Sequence, residues 1–174
     1  PSFTGGLVGY FSYDYIKYSE PTLKLDAEDE EHFKDVDLML FDKVIAFDNI
    51  HQKIVLITNI SSENIDSEYA RAEKELAEME QLIRFGKPAD IPHGKLTSEF
   101  RKLFDKEQYC AMVEKAKHYI YEGDIFQVVL SNRLDADFDG SLLDAYRVLR
   151  ATNPSPYMFF FSSDDMEIAG ASPE

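Results

Sequence analysis

This sequence predicts an α+β fold, and three observations predict it. Short apolar runs rich in Val, Ile, Phe and Tyr are separated by turn-forming residues, as strands require. Two longer stretches instead repeat apolar residues at helical spacing. The order of elements (strands, helix, helix, strand, helix, strands) lacks the strict alternation that a parallel sheet needs, so a mixed layer fold is expected. At 174 residues, 44% hydrophobic and 13% aromatic, the chain can bury a core and is too apolar for an acidic disordered segment.

Residues 5–13, with Gly5, Gly6 and Gly9 among Val, Phe and Tyr, suit a strand whose glycines permit close backbone approach. Asp26 to Asp37 is dominated by acids and reads as a loop. Val36 to Phe47 and Lys53 to Ile57 are apolar and β-branched, and Asp48-Asn49-Ile50-His51-Gln52 between them signals a hairpin. Ile65, Tyr69, Ala72, Leu76, Met79 and Ile83 then form an apolar stripe, with Arg71, Glu73, Lys74, Glu75 and Glu78 on the other face. Too few heptads follow for a coiled coil, so this helix is expected against a sheet, ending at Gly86-Lys87-Pro88. Residues 86–98 read as an ordered crossing or linker.

The second helix has the clearest signals. Asp105 and Gln108 make a capping box, Tyr109, Met112, Val113, Ala116, Tyr119 and Ile120 form one face, and Gly123 closes the end. Ile125 to Leu130, apolar except for Gln127, predicts a strand buried on both faces. Ser141, with Asp144 three residues on, starts a short helix through Arg150. Tyr157 to Phe161 and Met166 to Ala169 read as strands joined by Ser162 to Asp165. The resulting division is strands and a first helix over 1–85, a linker or crossing over 86–104, and a second region over 105–174.

Charge and cysteine content exclude several classes. With 33 acidic against 18 basic residues the net charge is −15, which argues against nucleic acid and against an anionic membrane surface. No run approaches a transmembrane length, and no signal pattern precedes the first strand, so a cytoplasmic protein is expected. A single Cys110 excludes a disulfide framework, and within a helix it reads as inert and buried. The first residue is Pro1 and both termini adjoin core-like strands, so the chain reads as a piece of a longer protein.

Several constellations carry little chemistry. Gly5-Gly6-Leu7-Val8-Gly9 leads into aromatic strand residues rather than a helix, which favours strand packing over a phosphate loop. Glu28, Asp29, Glu30, Glu31 and Asp35 lack the ligand spacing of a calcium loop and read as a solvated run. His32, His51, His93 and His118 share no ligand spacing and read as surface residues, so no metal site is expected within the chain. Asn59-Ile60-Ser61 matches the glycosylation pattern by chance. Gln127 is a lone amide in an apolar run: either it is tied to neighbouring backbone or it points into a ligand cavity. Asn153-Pro154-Ser155-Pro156-Tyr157-Met158 is rigid, either as a stiff turn or as a binding edge.

Taken together, these motifs resemble anthranilate synthase component I of the chorismate-binding enzymes. The resemblance rests on Gly5 to Tyr10 with Tyr13-Asp14, Gly123 to Ser131, Asn153 to Met158 and Gly170 to Glu174, in order and approximate spacing. It implies orthogonally packed, largely antiparallel sheets flanked by helices, incomplete here. It also implies a lyase reaction in tryptophan biosynthesis, chorismate plus ammonia giving anthranilate and pyruvate, with Mg²⁺ required. A partner glutamine amidotransferase subunit supplies the ammonia, and L-tryptophan inhibits.

Residue by residue, Pro156, Tyr157 and Met158 match part of the tryptophan site. Gln127 matches the position where water-using relatives carry a Lys general base, and an amide cannot deprotonate water. The resemblance places the serine motif of the tryptophan site before Pro1, and the Mg²⁺ glutamates, catalytic histidine and chorismate-gripping arginine beyond Glu174. The chain alone is therefore expected to be inactive. The alternatives are component I of aminodeoxychorismate synthase, in folate synthesis, and a non-catalytic acidic interaction module.

Overall fold

The computed structural model describes residues 1–25, Asp29 and 31–172, Ser172 by its backbone only. Glu28 and Glu30 of the acidic run, and Pro173 and Glu174 of the last motif, lie outside the described residues. The chain divides into two compact units, Pro1–Ala89 and Asp90–Glu174.

In the first unit, β1 (Gly6–Phe11) pairs antiparallel with β2 (Val36–Phe41), from Gly6 opposite Phe41 to Phe11 opposite Val36. Gly9 is required there, since a Cβ would run into the Asp37 carbonyl. No helix follows directly: a 3₁₀ turn (Tyr13–Tyr15) and the one-turn α1 (Ile16–Ser19) come next, which leaves the glycines to strand packing. Asp35 is not merely solvated. It accepts from Lys17 Nζ at 2.6 Å, Tyr18 Oη at 2.8 Å and Ser12 Oγ at 3.3 Å, and Lys17 and then Tyr18 hold its carboxyl below the usual carboxylate range.

The expected single strand from Val36 to Phe47 is two strands broken at Asp42. β3 (Lys43–Asp48) leaves β1 and forms a hairpin with β4 (Lys53–Thr58). The Asp42 carbonyl is released from the ladder and accepts the Asn59 N–H at 2.8 Å and Asn59 Nδ2 at 3.1 Å. In the turn, Asp48 Oδ1 accepts the N–H groups of Ile50 and His51 at 3.1 and 3.0 Å, a side chain replacing backbone partners.

α2 (Ile65–Phe85) packs on β4, and of the predicted stripe Ala72 is buried and Leu76 and Met79 half-buried, while Ile65, Tyr69 and Ile83 are exposed. Ala72, only 8% exposed, is the single buried hydrophobic residue among those described. Beside it, Arg71 bonds Glu68 and Glu75 at 2.8 Å each, and Lys43 of β3 reaches Glu75 at 3.4 Å.

In the second unit, residues 90–104 lie in the stretch read as a linker or crossing. They hold β5 (Lys95–Leu96) and β6 (Arg101–Lys102). α3 (Lys106–Glu122) follows, and β7 (Leu134–Asp135) and β8 (Phe138–Asp139) return to pair antiparallel with β6 and β5 respectively. The α3 capping box forms as predicted: the Gln108 N–H reaches Asp105 Oδ1 at 2.8 Å and the Asp105 N–H reaches Gln108 Oε1 at 2.9 Å. Cys110, expected to be buried, is exposed, because α3 half-buries only the stripe of Tyr109, Met112, Val113 and Ala116.

α4 (Leu143–Thr152) is not started by Ser141 and Asp144 alone. Glu167 of the last strand accepts the Leu142 N–H at 2.6 Å and the Ser141 hydroxyl at 3.0 Å. A distant carboxylate therefore supplies the anion that a helix N-terminus favours. β9 (Tyr157–Ser162) and β10 (Glu167–Ser172) close the chain as an antiparallel hairpin.

The fold is α+β: helices with five two-stranded antiparallel ladders among the described residues. It is sparsely covered. The 20.0 kDa chain exposes 14749 Å², whereas a compact monomer of that mass exposes about 8,700 Å² and two independent half-size domains about 10,500 Å². No helix among the described residues is long and apolar enough to cross a membrane.

Candidate functional site

The segment carrying Gln127 departs most from expectation. α3 ends at Gly123 in the left-handed region (φ +85°), where the N–H groups of Gly123 and Asp124 return to the carbonyls of Ile120 and Tyr119 at 3.2 and 3.0 Å. Ile125 to Leu130 then runs without any ladder, so the predicted doubly buried strand is absent. Ile125 and Leu130 are half-buried, Phe126 is fully exposed and Val129 is 80% exposed. A strand exists only through partners, and no described strand pairs with this run.

Gln127 is exposed, not buried, and its amide makes no hydrogen bond among the described residues. Gln127 is therefore not tied to neighbouring backbone here, and the buried setting from which both its readings started is absent. The end of the segment is held instead. Tyr109 Oη donates to the Leu130 carbonyl at 3.1 Å, and the Asn132 side chain pairs with both backbone groups of Phe104 at 3.1 and 2.9 Å.

The rigid stretch from Asn153 is placed where α4 turns into β9. The Asn153 N–H still bonds the Leu149 carbonyl at 2.9 Å, and the Tyr157 N–H donates to Ser155 Oγ at 3.1 Å. Pro156 and Tyr157 are exposed, the latter 63%, and from Tyr157 to Phe160 exposed and half-buried residues alternate, Met158 being half-buried, as a strand produces. Tyr157 stands opposite Ser172 and Met158 opposite Ala171, so the third and fourth motifs are brought together as strand partners. Among the described residues no hydrogen bond or ion pair joins Gln127 to Pro156, Tyr157 or Met158.

Other polar features are spoken for. Asn59 Nδ2 donates to the Thr4 carbonyl at 2.7 Å as well as to Asp42, a structural clamp that no spacing announced. It borders an open groove of about 480 Å³ lined by Gly5, Gly6, Phe41, Asp42, Asn59 and Arg71. The guanidinium there is already neutralised by Glu68 and Glu75. His93 Nδ1 meets Asp144 at 2.6 Å, and His93 and then Arg147 hold that carboxyl below its usual range. This pair lies 51 residues apart in sequence, so local pattern could not reveal it. Among the described residues no three of His, Cys, Asp and Glu gather as ligands.

Comparison with known proteins adds identity to this geometry. Residues 1–174 match the family described as chorismate binding enzyme. The chain is 39% identical over its whole length to anthranilate synthase component 1 of Aquifex aeolicus and of Acinetobacter calcoaceticus, covering 36% of each. It is 36% identical to a probable anthranilate synthase component 1 of Schizosaccharomyces pombe, covering 37% of that protein. The crystal structure of anthranilate synthase component I from Streptococcus pneumoniae superposes with a TM-score of 0.79 at 32% identity, over 99% of this chain and 39% of that one. The chain thus spans little more than a third of the length of the curated relatives it matches.

Proposed function

The chain belongs to the chorismate binding enzymes, and on that premise we propose that it is part of the chorismate-converting subunit of an anthranilate synthase. The observation that carries this reading is the match along the entire chain to component I proteins from distant organisms. The complete subunit would convert chorismate and ammonia to anthranilate and pyruvate in the cytoplasm. The ammonia would come from glutamine through a separate amidotransferase component. Residues outside this chain would hold Mg²⁺, which when bound would clamp the substrate carboxylate electrostatically.

Within the chain, two places have roles in this proposal. Gln127, on its exposed segment, would line the chorismate cavity, where its amide can bond ammonia or substrate yet cannot deprotonate water. Pro156, Tyr157 and Met158 would form part of an L-tryptophan inhibitory site. The exposed Tyr157 ring offers a stacking face, and the proline fixes the backbone beside it.

Two assays test the reading. The full-length subunit should release fluorescent anthranilate from chorismate with ammonium as nitrogen source, while the 174-residue chain releases none. Formation of aminodeoxychorismate instead would move the subunit to the folate branch, and no conversion at all would leave a non-catalytic module. In the same subunit, Tyr157→Ala should weaken tryptophan inhibition roughly ten- to hundredfold with uninhibited turnover largely intact. An unchanged inhibition constant would reduce the stretch to a structural turn.

A further inference from the structure

Glu167 ties the two ends of a long excursion together. α4 starts after Leu142, runs ten residues and passes through residues 153–156 into β9. β10 then folds back along β9, so that Glu167, its first residue, lies where α4 began. Glu167 Oε2 accepts the Leu142 N–H at 2.6 Å and Oε1 accepts the Ser141 hydroxyl at 3.0 Å, while Ser141 Oγ accepts the Leu143 N–H at 3.2 Å. The two amides that open α4, which no helical carbonyl reaches, are therefore both bonded. Between its ends α4 packs on both strands, and the Tyr146 ring meets Phe160 of β9 with centroids 5.6 Å apart. At its far end the Asn153 N–H still bonds the Leu149 carbonyl, and Tyr157 then opens β9 opposite Ser172. The helix is thus fastened to the hairpin twice, by the chain at one end and by Glu167 at the other. All of these contacts are made inside one unit.

We propose that Glu167 is a positioning residue for the tryptophan stretch: by holding the start of α4 against the start of β10, it sets where the helix lies along the hairpin and so fixes the course of residues 153–158 at the helix's other end. The ring and apolar contacts between α4 and the hairpin are non-directional, and alone they permit the helix to slide or turn. Hydrogen bonds are directional, so the pair at Glu167 selects one axial position. A helix of ten residues is about 15 Å long and moves as a unit. Pro154 and Pro156 have fixed φ angles and cannot absorb its displacement, so a shift at Asn153 is carried on to Tyr157. The proposal rests on the reading of Pro156, Tyr157 and Met158 as part of an L-tryptophan site. An inhibitor that recognises one arrangement of this stretch loses affinity in proportion to the time the stretch spends elsewhere. Turnover without tryptophan does not draw on that arrangement.

The test compares Glu167→Ala and Glu167→Gln in the full-length subunit, with Tyr157→Ala as the reference. Glu167→Ala should weaken tryptophan inhibition roughly tenfold, as for a stretch correctly placed a tenth of the time. Uninhibited kcat and KM for chorismate should stay within about twofold. Glu167→Gln keeps an oxygen for the Leu142 N–H and should bring inhibition back to within about threefold of the wild type. A lower Tm with unchanged inhibition in Glu167→Ala would make the residue a helix cap and nothing more, and overturn the proposal. So would a loss of uninhibited kcat equal to the loss of inhibition, or a Gln variant no better than the Ala variant. Should Glu167→Ala fail to fold, Ser141→Ala removes one of the two bonds and decides: inhibition about threefold weaker at normal kcat supports the proposal, and wild-type inhibition overturns it. Lost inhibition in Tyr157→Ala beside intact inhibition in Glu167→Ala leaves the tryptophan stretch standing and removes Glu167 from it. Unaltered inhibition in Tyr157→Ala, or a wild-type subunit insensitive to tryptophan, overturns the reading of the stretch and the proposal with it.

Discussion

Lys53–Thr58 and Ile125 to Leu130 are both six-residue, mostly apolar runs rich in β-branched residues: Lys-Ile-Val-Leu-Ile-Thr against Ile-Phe-Gln-Val-Val-Leu. The first is a strand in full register with β3 and is covered by α2. The second, in the other unit, has no ladder and exposes Phe126 and Val129. The difference does not lie in intrinsic preference, which β-branched and aromatic residues supply to both. It lies in the partner. β4 has a complementary strand five residues upstream, delivered by the Asp48–Gln52 turn, whereas 125–130 follows the close of α3 and pairs with no strand among the described residues. β-propensity states fitness for a sheet; pairing is settled by what else the chain brings alongside.

The sharpest way to break this comparison is to remove the cover over β4. Ala72→Asp places a carboxylate at the one buried apolar position of the described residues. It should destabilise the first unit by about 3 kcal/mol in urea titration, while the Tyr109–Leu130 anchor in the second unit persists. A loss below about 1 kcal/mol would mean that α2 does not protect the hairpin.

Hydrogen exchange sharpens the contrast without mutation. The laddered amides of Lys53–Thr58 should exchange at least about a hundredfold more slowly than those of 126–129, which have no acceptor among the described residues. Equal rates would show that the hairpin offers no more protection than an unpaired run. A matched pair of variants comes next. Val55→Ala, at a half-buried position of β4, should cost about 1 kcal/mol. Val129→Ala, at an exposed one, should stay within about 0.5 kcal/mol. Equal costs would show that 125–130 is packed after all.

The smallest effect expected is on pH dependence. Arg71 holds the carboxyls of Glu68 and Glu75 below their usual range. Groups with depressed folded values contribute stability that is present above the unfolded value, about 4.3, and is lost as pH falls through the folded values. The first unit should therefore lose stability below about pH 4.3, and Arg71→Met should flatten that acid limb. An identical limb in the variant would remove the network from the stability of the hairpin and its helix.

Much of this was legible in the chain itself, and the readable parts share a cause. The 65–83 stripe, the Asp105–Gln108 box, the Gly123 stop and the Asp48–Gln52 turn all depend on residues within a turn or two of one another, so their physics is complete inside a short window. So is the family resemblance, carried by contiguous motifs. Of the candidate site, the contiguity of Pro156, Tyr157 and Met158 was plain in the sequence. Their pairing against Ala171 and Ser172 follows once the last hairpin is recognised.

By itself, then, the sequence determined the α+β class, the long helices and their caps, the two hairpins and the chorismate-binding motifs. The tertiary structure alone decided that Ile125 to Leu130 pairs with no strand among the described residues of this chain. It decided also that Asp42 breaks β2 from β3, that Glu167 caps α4, that His93 meets Asp144, and that Cys110 faces outward. Each of these rests on a partner 17 to 51 residues away or on the side of a helix left uncovered. A hydrogen bond or a burial is a property of two surfaces, and local pattern specifies only one of them.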